Sequence, residues 1–231
     1  KAKEKKVPTE VIIDSWYNYS ERFGYPYHNW ERRLPDTLTV CDNIAYKIVL
    51  NQNLNKLCKI KKINNPYFVD FADEYNIIKN NTEVVETDLL FLSSPLGEAR
   101  EMNLKELNET KSDSKDLLGD VYEICQSKNV NIRVRLHPTH KLNKSRLLDD
   151  FSGKVDFSDY ENSLVTDLLS AKYVLGFCST ALVIAAMLGK IAISFAKGDL
   201  NDIFHWQEYG VYDNYGINYC SNSSELRKII N

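Results

Sequence analysis

Short apolar runs alternate with helix-like segments along the second half of the chain. In the segments between the runs, apolar residues recur three and four positions apart, which is the spacing of one face of an α-helix. The strand-type runs are Thr87–Leu92, Asn131–Leu136, Lys154–Phe157, Tyr173–Phe177 and Ile191–Phe195. Alternating strands and helices are typical of a parallel sheet with helices on both faces. The pattern therefore predicts an α/β fold for this part of the chain.

The stretch from Tyr173 to Phe195 carries the strongest apolar signal. Two strand-type runs flank Ala181–Leu188, a short segment of small and aliphatic residues, and Gly189-Lys190 ends that segment. Two apolar strands joined by so short and apolar a helix indicate a βαβ unit within a buried parallel sheet. Ser179 and Thr180 lie where this helix is predicted to begin.

The first 80 residues show a weaker α/β pattern. Strands are predicted at Val11–Asp14, Leu38–Cys41 and Cys58–Ile63, and helices at Ile44–Asn51, where Asp42 is the predicted cap, and at Tyr67–Ile78. The aromatic segment Ser15–Pro35 predicts a short helix followed by an irregular loop. Asn80-Asn81-Thr82 is polar and turn-like, so we expect two domains, 1–80 and 81–231.

Polar residues follow four of the predicted strands directly. In a parallel sheet, ligands bind outside the carboxyl ends of the strands, so these side chains are expected to converge on one crevice. They are Ser93-Ser94, His137-Pro138-Thr139, Ser158-Asp159-Tyr160-Glu161 and Cys178-Ser179-Thr180.

Ser179, Thr180 and His137 are the strongest candidates for contact with an anion. The hydroxyls can cap a helix whose free N–H groups attract a phosphate, although the same residues are also common as caps alone. His137 has a pKa near neutrality and can donate to a phosphate oxygen or a leaving group. The alternative for His137 is a structural hydrogen bond to a loop carbonyl. His140 and Lys141 follow closely and would add donors.

Charged residues near the predicted strands have both structural and chemical interpretations. Arg133 and Arg135 lie on a buried strand and need partners such as Asp156 or Asp159, although one of the two arginines could face the site. Asp167 lies on a predicted helix, where a solvated carboxylate is the common case.

Two other carboxylates are candidates for contact with a substrate. Glu161 could bind a ribose or sugar hydroxyl. Asp14 ends the first strand and could act as a general base, or could cap a helix that begins near Ser15. The aromatic residues between Trp16 and Trp30 could stack on a sugar ring, but packing is the simpler expectation.

Composition narrows the classes of function. The 231 residues carry a formal net charge of -3, which disfavours nucleic acid as the main partner. No apolar run approaches the ~20 residues that span a bilayer. The five cysteines form no Cys-x-x-Cys, and they predict neither a disulfide framework nor a zinc site. The chain begins at Lys1 rather than Met, and we expect further sequence to precede it.

Several catalytic signatures are absent from the sequence. It contains no GxGxxG, GxxxxGK[ST], HExxH or GxSxG motif, which disfavours dinucleotide enzymes, P-loop enzymes, zinc proteases and serine hydrolases. It also lacks Asp-x-Asp, so a metal-bound diphosphate is not indicated. We therefore expect no bound metal and no cofactor, and a site built around a helix N-terminus.

Three segments together resemble a known family. They are Arg135–Pro138 (RLHP), Glu161–Leu169 (ENSLVTDLL) and Tyr173–Lys190 with its STAL and GK residues. They are similar to the carboxyl-terminal, nucleotide-donor half of GT-B type glycosyltransferases, a Rossmann-like α/β domain. The bacterial capsule and surface-polysaccharide group, with sialyl-, polysialyl-, Kdo and CDP-glycerol transferases, is most similar. Asp14-Ser15-Trp16, Glu21-Arg22-Phe23 and Asn65-Pro66-Tyr67 resemble the end of the acceptor domain and the domain junction.

The resemblance implies roles for particular residues. His137 would contact the donor phosphate, and Ser179 and Thr180 would bind it at the helix N-terminus. Ser93, Ser94 and Glu161 are expected to line the same donor site because they follow predicted strands. Residues 1–80 would be a partial acceptor-side region, and 81–231 the donor domain. The resemblance adds no support to Asp14 or Glu21 as the catalytic base, because in this family the base commonly lies in an earlier part of the amino-terminal domain, of which only about three strands are expected here.

The sequence thus predicts a metal-independent glycosyltransferase of bacterial surface-polysaccharide synthesis. Its partners would be a nucleotide-sugar donor (CMP- or another NDP-sugar) and a glycan or lipid-linked acceptor, in the cytoplasm or at the inner face of the membrane. Peripheral membrane association, and a partner subunit or a missing amino-terminal domain, are left open. The alternatives are a CDP-glycerol-type phosphotransferase, a nucleotide-sugar epimerase and a non-catalytic nucleotide-sugar-binding subunit.

Overall fold

Nine parallel strands and seven α-helices make up the regular structure of the described residues. A computed structural model describes residues 5–81, 86–94, 114–138, 149–159, 161–197 and 205–231. The strands are β1 (Glu10–Ile13), β2 (Thr37–Val40), β3 (Lys59–Lys62), β4 (Thr87–Leu92), β5 (Ile132–Arg135), β6 (Asp156–Phe157), β7 (Ala171–Gly176), β8 (Ile191–Phe195) and β9 (Asn218–Cys220). The helices are α1 (Asn43–Asn51), α2 (Pro66–Asn81), α3 (Ser114–Lys128), α4 (Leu164–Ser170), α5 (Thr180–Met187), α6 (Val211–Tyr215) and α7 (Ser223–Ile229).

The chain folds into two compact units. The first contains Lys1–Asp70 together with Phe204–Val211, and the second contains Phe71–Ile203 together with Tyr212–Asn231. The chain therefore passes from the first unit to the second within α2, returns to the first at Phe204, and enters the second again within α6. The domain boundary near residue 80 and the roles given to the two domains stay predictions.

The first unit is built on a small parallel sheet in the order β1-β2-β3. Leu38 and Val40 of β2 are fully buried, and so is the apolar face of α1, which Ile44, Ala45, Ile48 and Val49 form. Asp42 caps α1 as predicted, because its carboxylate accepts the N–H of Ala45 at 2.6 Å.

The second unit is built on a six-stranded parallel sheet in the order β6-β5-β4-β7-β8-β9. The central strands β4 and β7 pair in register, with Leu89 opposite Tyr173 and Phe91 opposite Leu175. These side chains are buried, as a sheet covered on both faces requires. The apolar faces of α3 and α7 belong to the same core through Leu118, Val121 and Leu226.

The predicted α/β fold with parallel sheets and flanking helices is confirmed. The ranges predicted for β4 and β8 are the observed ones, and Ser163 caps α4. The helix predicted after Ser15 is wrong, because two single-turn 3-10 helices, Glu21–Phe23 and Trp30–Arg33, occupy that segment. The sequence interpretation also missed α6 and β9.

No helix in the described part of the chain combines the length and the apolar content that crossing a bilayer requires.

Candidate functional site

The strand order of the second sheet has a switch point between β4 and β7. From β4 the chain continues outward through β5 and β6, and β7, β8 and β9 extend from the other side of β4. In parallel sheets of this kind, ligands bind outside the carboxyl ends of the strands at such a switch point. Ser93 and Ser94 follow β4, and Phe177–Thr180 follows β7. The sequence predicted ligand contact for both loops.

Ser179 is the N-cap of α5. Its backbone is extended, with φ -106° and ψ 136°, and its hydroxyl accepts the N–H of Ala181 at 3.2 Å. The Ser179 carbonyl accepts the N–H of Leu182 at 2.8 Å. Within the described residues, neither the N–H nor the hydroxyl of Thr180 forms a hydrogen bond. Ser179, Thr180 and Ala181 are each half-buried, so the beginning of the helix keeps some contact with solvent.

The two interpretations of Ser179 and Thr180, as a helix cap and as donors to an anion, are compatible in this geometry. One hydroxyl caps the helix, and the adjacent residue still has donors to offer at an accessible helix N-terminus. Such an end attracts anions, because the first-turn N–H groups carry partial positive charge.

His137 lies at the same edge of the sheet, immediately beyond β5. Its main-chain N–H donates to the Ser93 hydroxyl at 2.8 Å, and the Ser93 N–H donates to the Arg135 carbonyl at 3.0 Å. The end of β5 is thus joined to the end of β4, which brings His137 and Ser93 together. Ser93 is buried, whereas His137 and Ser94 are half-buried. The predicted contributions of Thr139, His140 and Lys141 lie outside the described residues.

Both arginines of β5 have carboxylate partners. Arg133 pairs with Asp156 at 2.8 Å, one of the two partners that the sequence suggested. Arg135 pairs instead with Asp167, and it also donates to the Asn162 carbonyl at 3.0 Å. Asp167 is fully buried, so the expectation that it is solvated was wrong. The sequence separation of Asp167 on α4 and Arg135 on β5 does not reveal that the two side chains meet in the folded chain.

The sheet does not place Glu161 beside the switch point between β4 and β7. This residue is exposed in a turn after β6, where its N–H donates to the Asp159 carboxylate at 3.2 Å. Strands β5 and β4 separate β6 from β7 in the sheet order. Its contact with a ribose or sugar hydroxyl stays a prediction, and Tyr160 lies outside the described residues.

Asp14 belongs to the first unit and is exposed directly after β1. No helix begins at Ser15, so Asp14 does not cap one there. Among the nearby aromatics, Trp16 and Tyr19 are buried, as packing predicts, whereas Tyr25 and Tyr27 are 49% and 73% exposed.

Two surface grooves of the second unit, each about 530 Å³, lie at the opposite edge of the sheet. Both are lined by Glu86, Thr87 and Asn131, at the amino ends of β4 and β5. Their walls mix acidic and basic side chains. We give more weight to the switch point, because ligands of such sheets bind at the carboxyl edge. Within the described ranges, no three His, Cys, Asp or Glu side chains are grouped as metal ligands.

The sequence analysis did not identify Ser194 and Tyr212, which lie next to the turn that precedes α5. The hydroxyl of Tyr212 lies 3.2 Å from the Cys178 sulfur and 3.2 Å from the Ser194 hydroxyl. Tyr212 is 34 positions away from Cys178 in the chain, so no local pattern could have connected them.

Comparison with known proteins supports the fold. No family model matches the chain, and no curated protein matches its sequence. Among solved structures, it is similar to the UDP-GlcNAc 2-epimerase of Methanocaldococcus jannaschii, solved with UDP-GlcNAc and UDP, with 16% identity and a TM-score of 0.67 over 99% of this chain and 63% of that chain. It is also similar to the wall teichoic acid polymerase TagF, with 17% identity and a TM-score of 0.44 over 91% of this chain and 50% of that one.

The chain spans less than two thirds of the length of either of these two structures. Its parallel sheets with helices between the strands match the Rossmann-like architecture of the first of them. The chain therefore has a GT-B-like α/β fold.

Proposed function

We propose that this chain is the nucleotide-binding part of a glycosyltransferase that uses a nucleotide-activated sugar. The observation that carries the proposal is the half-buried N-terminus of α5 at the switch point of the sheet, where β4 also ends. The fold likeness adds support, because the similar M. jannaschii structure was solved with UDP-GlcNAc and UDP.

The proposed site stabilises the leaving nucleotide through the chain's own donors. As the bond from the sugar to the phosphate breaks, negative charge grows on the phosphate. The first-turn N–H groups of α5, the Thr180 hydroxyl and His137 would donate to those oxygens. Oriented donors of this kind act without reorganising during the reaction. We expect nucleotide binding to persist in the presence of a metal chelator.

The general base is proposed from the exposed position of Asp14 directly after β1. Asp14 is the candidate general base toward a glycan or lipid-linked acceptor. Asp14→Asn should abolish transfer and leave nucleotide affinity unchanged. Loss of nucleotide binding in this variant would argue against that division of roles.

Calorimetry with CMP, CDP, UDP and GDP tests the proposal directly. We expect one of them to bind, and His137→Ala to weaken that binding about ten- to hundred-fold, because hydrogen bonds to charged groups contribute about 1.5–3 kcal/mol. His205→Ala is the matched control, because His205 is exposed and contacts Glu208 at 3.1 Å in the other unit. Failure of a folded sample to bind any of the four nucleotides would contradict the proposal.

A pair of cap variants separates phosphate binding from simple helix capping. Ser179 and Ser163 both cap helices of the second unit, so Ser179→Ala and Ser163→Ala should each cost about 1 kcal/mol of stability. Only Ser179→Ala should weaken nucleotide binding. Equal nucleotide affinity in the two variants would show that Ser179 caps the helix and does not contribute to nucleotide binding.

Product analysis identifies the reaction. Incubation with a bound nucleotide-sugar, such as UDP-GlcNAc, and a glycan acceptor should yield the free nucleotide and a lengthened glycan. An epimerised sugar nucleotide in this incubation, or transfer of glycerol phosphate in a parallel incubation with CDP-glycerol, would replace the proposed reaction with another on the same fold. Intact binding without turnover or donor hydrolysis would indicate a non-catalytic binding subunit.

A further inference from the structure

Cys178 has a backbone conformation that side chains of L-residues rarely adopt. It lies between the end of β7 and the cap of α5, with φ +39°. This left-handed region is the usual place for glycine, and a residue with a Cβ is held there at a cost of about 1–3 kcal/mol. Neighbouring groups must therefore stabilise the turn.

A buried polar cluster of three side chains surrounds this turn. The Cys178 N–H forms a long hydrogen bond of 3.5 Å to the hydroxyl of Ser194 on β8. The Tyr212 hydroxyl lies 3.2 Å from the Cys178 sulfur and 3.2 Å from the Ser194 hydroxyl. Ser194 is fully buried, Tyr212 is 4% exposed and Cys178 is 8% exposed. Hydrogen bonds shielded from water to this degree are costly to lose.

The cluster is itself held in place by the sheet. Ser194 pairs with Gly176 of β7 on one side and with Tyr219 of β9 on the other. The Tyr212 ring stacks on the Tyr219 ring, with centroids 5.1 Å apart and planes 22° apart. The Tyr212 hydroxyl is thus directed at the turn by two rigid elements.

We propose that Tyr212 is a positioning residue for the anion site at the beginning of α5. Cys178 immediately precedes the cap Ser179, so its backbone angles set the direction of the N–H groups of Ser179 and Thr180. By holding Cys178 in the left-handed conformation, the Tyr212 hydroxyl directs these donors at the phosphoryl groups of the nucleotide donor. The proposal rests on the function proposed above.

Tyr212→Phe tests the role of the hydroxyl, because the ring, its stacking and its burial remain. Tyr173→Phe is the matched control, since Tyr173 is equally buried in β7 and its hydroxyl instead contacts the main chain of Asn231 at 3.2 Å. In the full chain without ligand, Tyr212→Phe should speed amide hydrogen exchange across Ser179–Leu182 about five-fold or more. It should also weaken nucleotide affinity by a similar factor, which is what one hydrogen bond contributes. Tyr173→Phe should change neither.

A second substitution shows whether the hydroxyl acts through backbone conformation. Cys178→Gly allows φ +39° without strain. If Tyr212 acts by holding this conformation, Tyr212→Phe should lose less affinity in the Cys178→Gly background than in the natural chain. An equal loss in both backgrounds would overturn the proposed route.

The outcomes separate this proposal from the proposed function. Unchanged exchange and unchanged affinity in Tyr212→Phe, with normal binding by the natural chain, would overturn the positioning role alone. A natural chain that binds no nucleotide would overturn the proposed function, and with it the ligand named here.

Discussion

Arg135 at the end of β5 forms an ion pair with Asp167 in the middle of α4, and the Asp167 side chain is fully buried whereas that of Arg135 is 23% exposed. The Ser158 hydroxyl donates to the same Asp167 oxygen at 2.6 Å, and Arg135 also donates to the Asn162 carbonyl. Arg135 lies two positions before His137. The pair therefore fixes the strand end that carries the histidine, and it joins two of the three segments on which the family resemblance rests.

Asp167→Asn should lower the free energy of unfolding by about 3 kcal/mol, because it leaves the Arg135 charge without its buried partner. Urea denaturation measures the change. The matched control is Asp156→Asn, which breaks the pair of Arg133 with a carboxylate that is 63% exposed, and it should cost less than about 1 kcal/mol. Equal losses in the two variants would show that the burial of Asp167 is unimportant.

Gly176→Ala should destabilise the chain by about 1–3 kcal/mol. A Cβ at Gly176 would lie 3.2 Å from the Leu92 Cβ, so it would force β4 and β7 apart at the switch point. Gly119→Ala is the control, because a Cβ at Gly119 in α3 would meet no atom within 4 Å. Alanine there should stabilise the helix by about 0.5–1 kcal/mol. Thermal unfolding should give shifts of opposite sign, and shifts of the same sign would contradict this account.

Asp42→Ala should cost about 2 kcal/mol, which is more than an ordinary cap. Its carboxylate accepts the N–H of Ala45 at 2.6 Å and the indole N–H of buried Trp16 at 2.7 Å. Asn222→Ala removes the cap of α7, where the side chain accepts the N–H of Glu225, and should cost about 1 kcal/mol. A smaller loss for Asp42→Ala than for Asn222→Ala in chemical denaturation would be the contrary result.

Two buried thiols should resist modification in the native chain. Burial raises the pKa of the Cys125 thiol to about 12 and the pKa of the Cys220 thiol to about 11. Since the thiolate is the reactive form, half-buried Cys58 should react first with a disulfide reagent at pH 8. Cys58→Ser should remove the fast phase, and mass spectrometry identifies the labelled site. Labelling of Cys125 as fast as that of Cys58 would contradict the pKa assignment.

The same two pKa values set the sign of a pH effect on stability. The unfolded thiols lose their protons near pH 8.5, whereas the folded chain keeps them to higher pH. The stabilisation that comes from burying the two protonated thiols is complete below about pH 8.5. It is lost as the pH rises toward 11. A free energy of unfolding that rises over this interval in the natural chain, but not in Cys125→Ala with Cys220→Ala, would reverse the assigned sign.

Periodicity predicted the strands around the switch point because each is a continuous apolar run. Strand β9 has three residues, Asn218–Cys220, and its place in the sheet comes from pairing with β8, which no local pattern reveals. The burial of Asp167 depends on Arg135, which lies 32 positions away. Partners of this kind are set by tertiary packing rather than by sequence spacing.

The aromatic segment after Ser15 failed to form the predicted helix for a related reason. The Ser20 N–H donates to the Gln52 side chain at 3.2 Å, and the Ser20 hydroxyl donates to the same oxygen at 2.6 Å. The Tyr19 hydroxyl donates to the carbonyl of Ser15 at 2.7 Å. Side-chain hydrogen bonds thus replace the backbone ladder that a helix would need.

The first unit draws its core from two separate parts of the polypeptide. Trp206 is fully buried and packs edge-on against Trp16, with ring centroids 5.5 Å apart. A polypeptide cut after Asp70 would lose that ring, and the remainder would keep Trp206 without the surface it covers. Exchanging one unit with that of a relative therefore needs more than one recombination junction, and a single crossover would split the Trp16–Trp206 contact between parents.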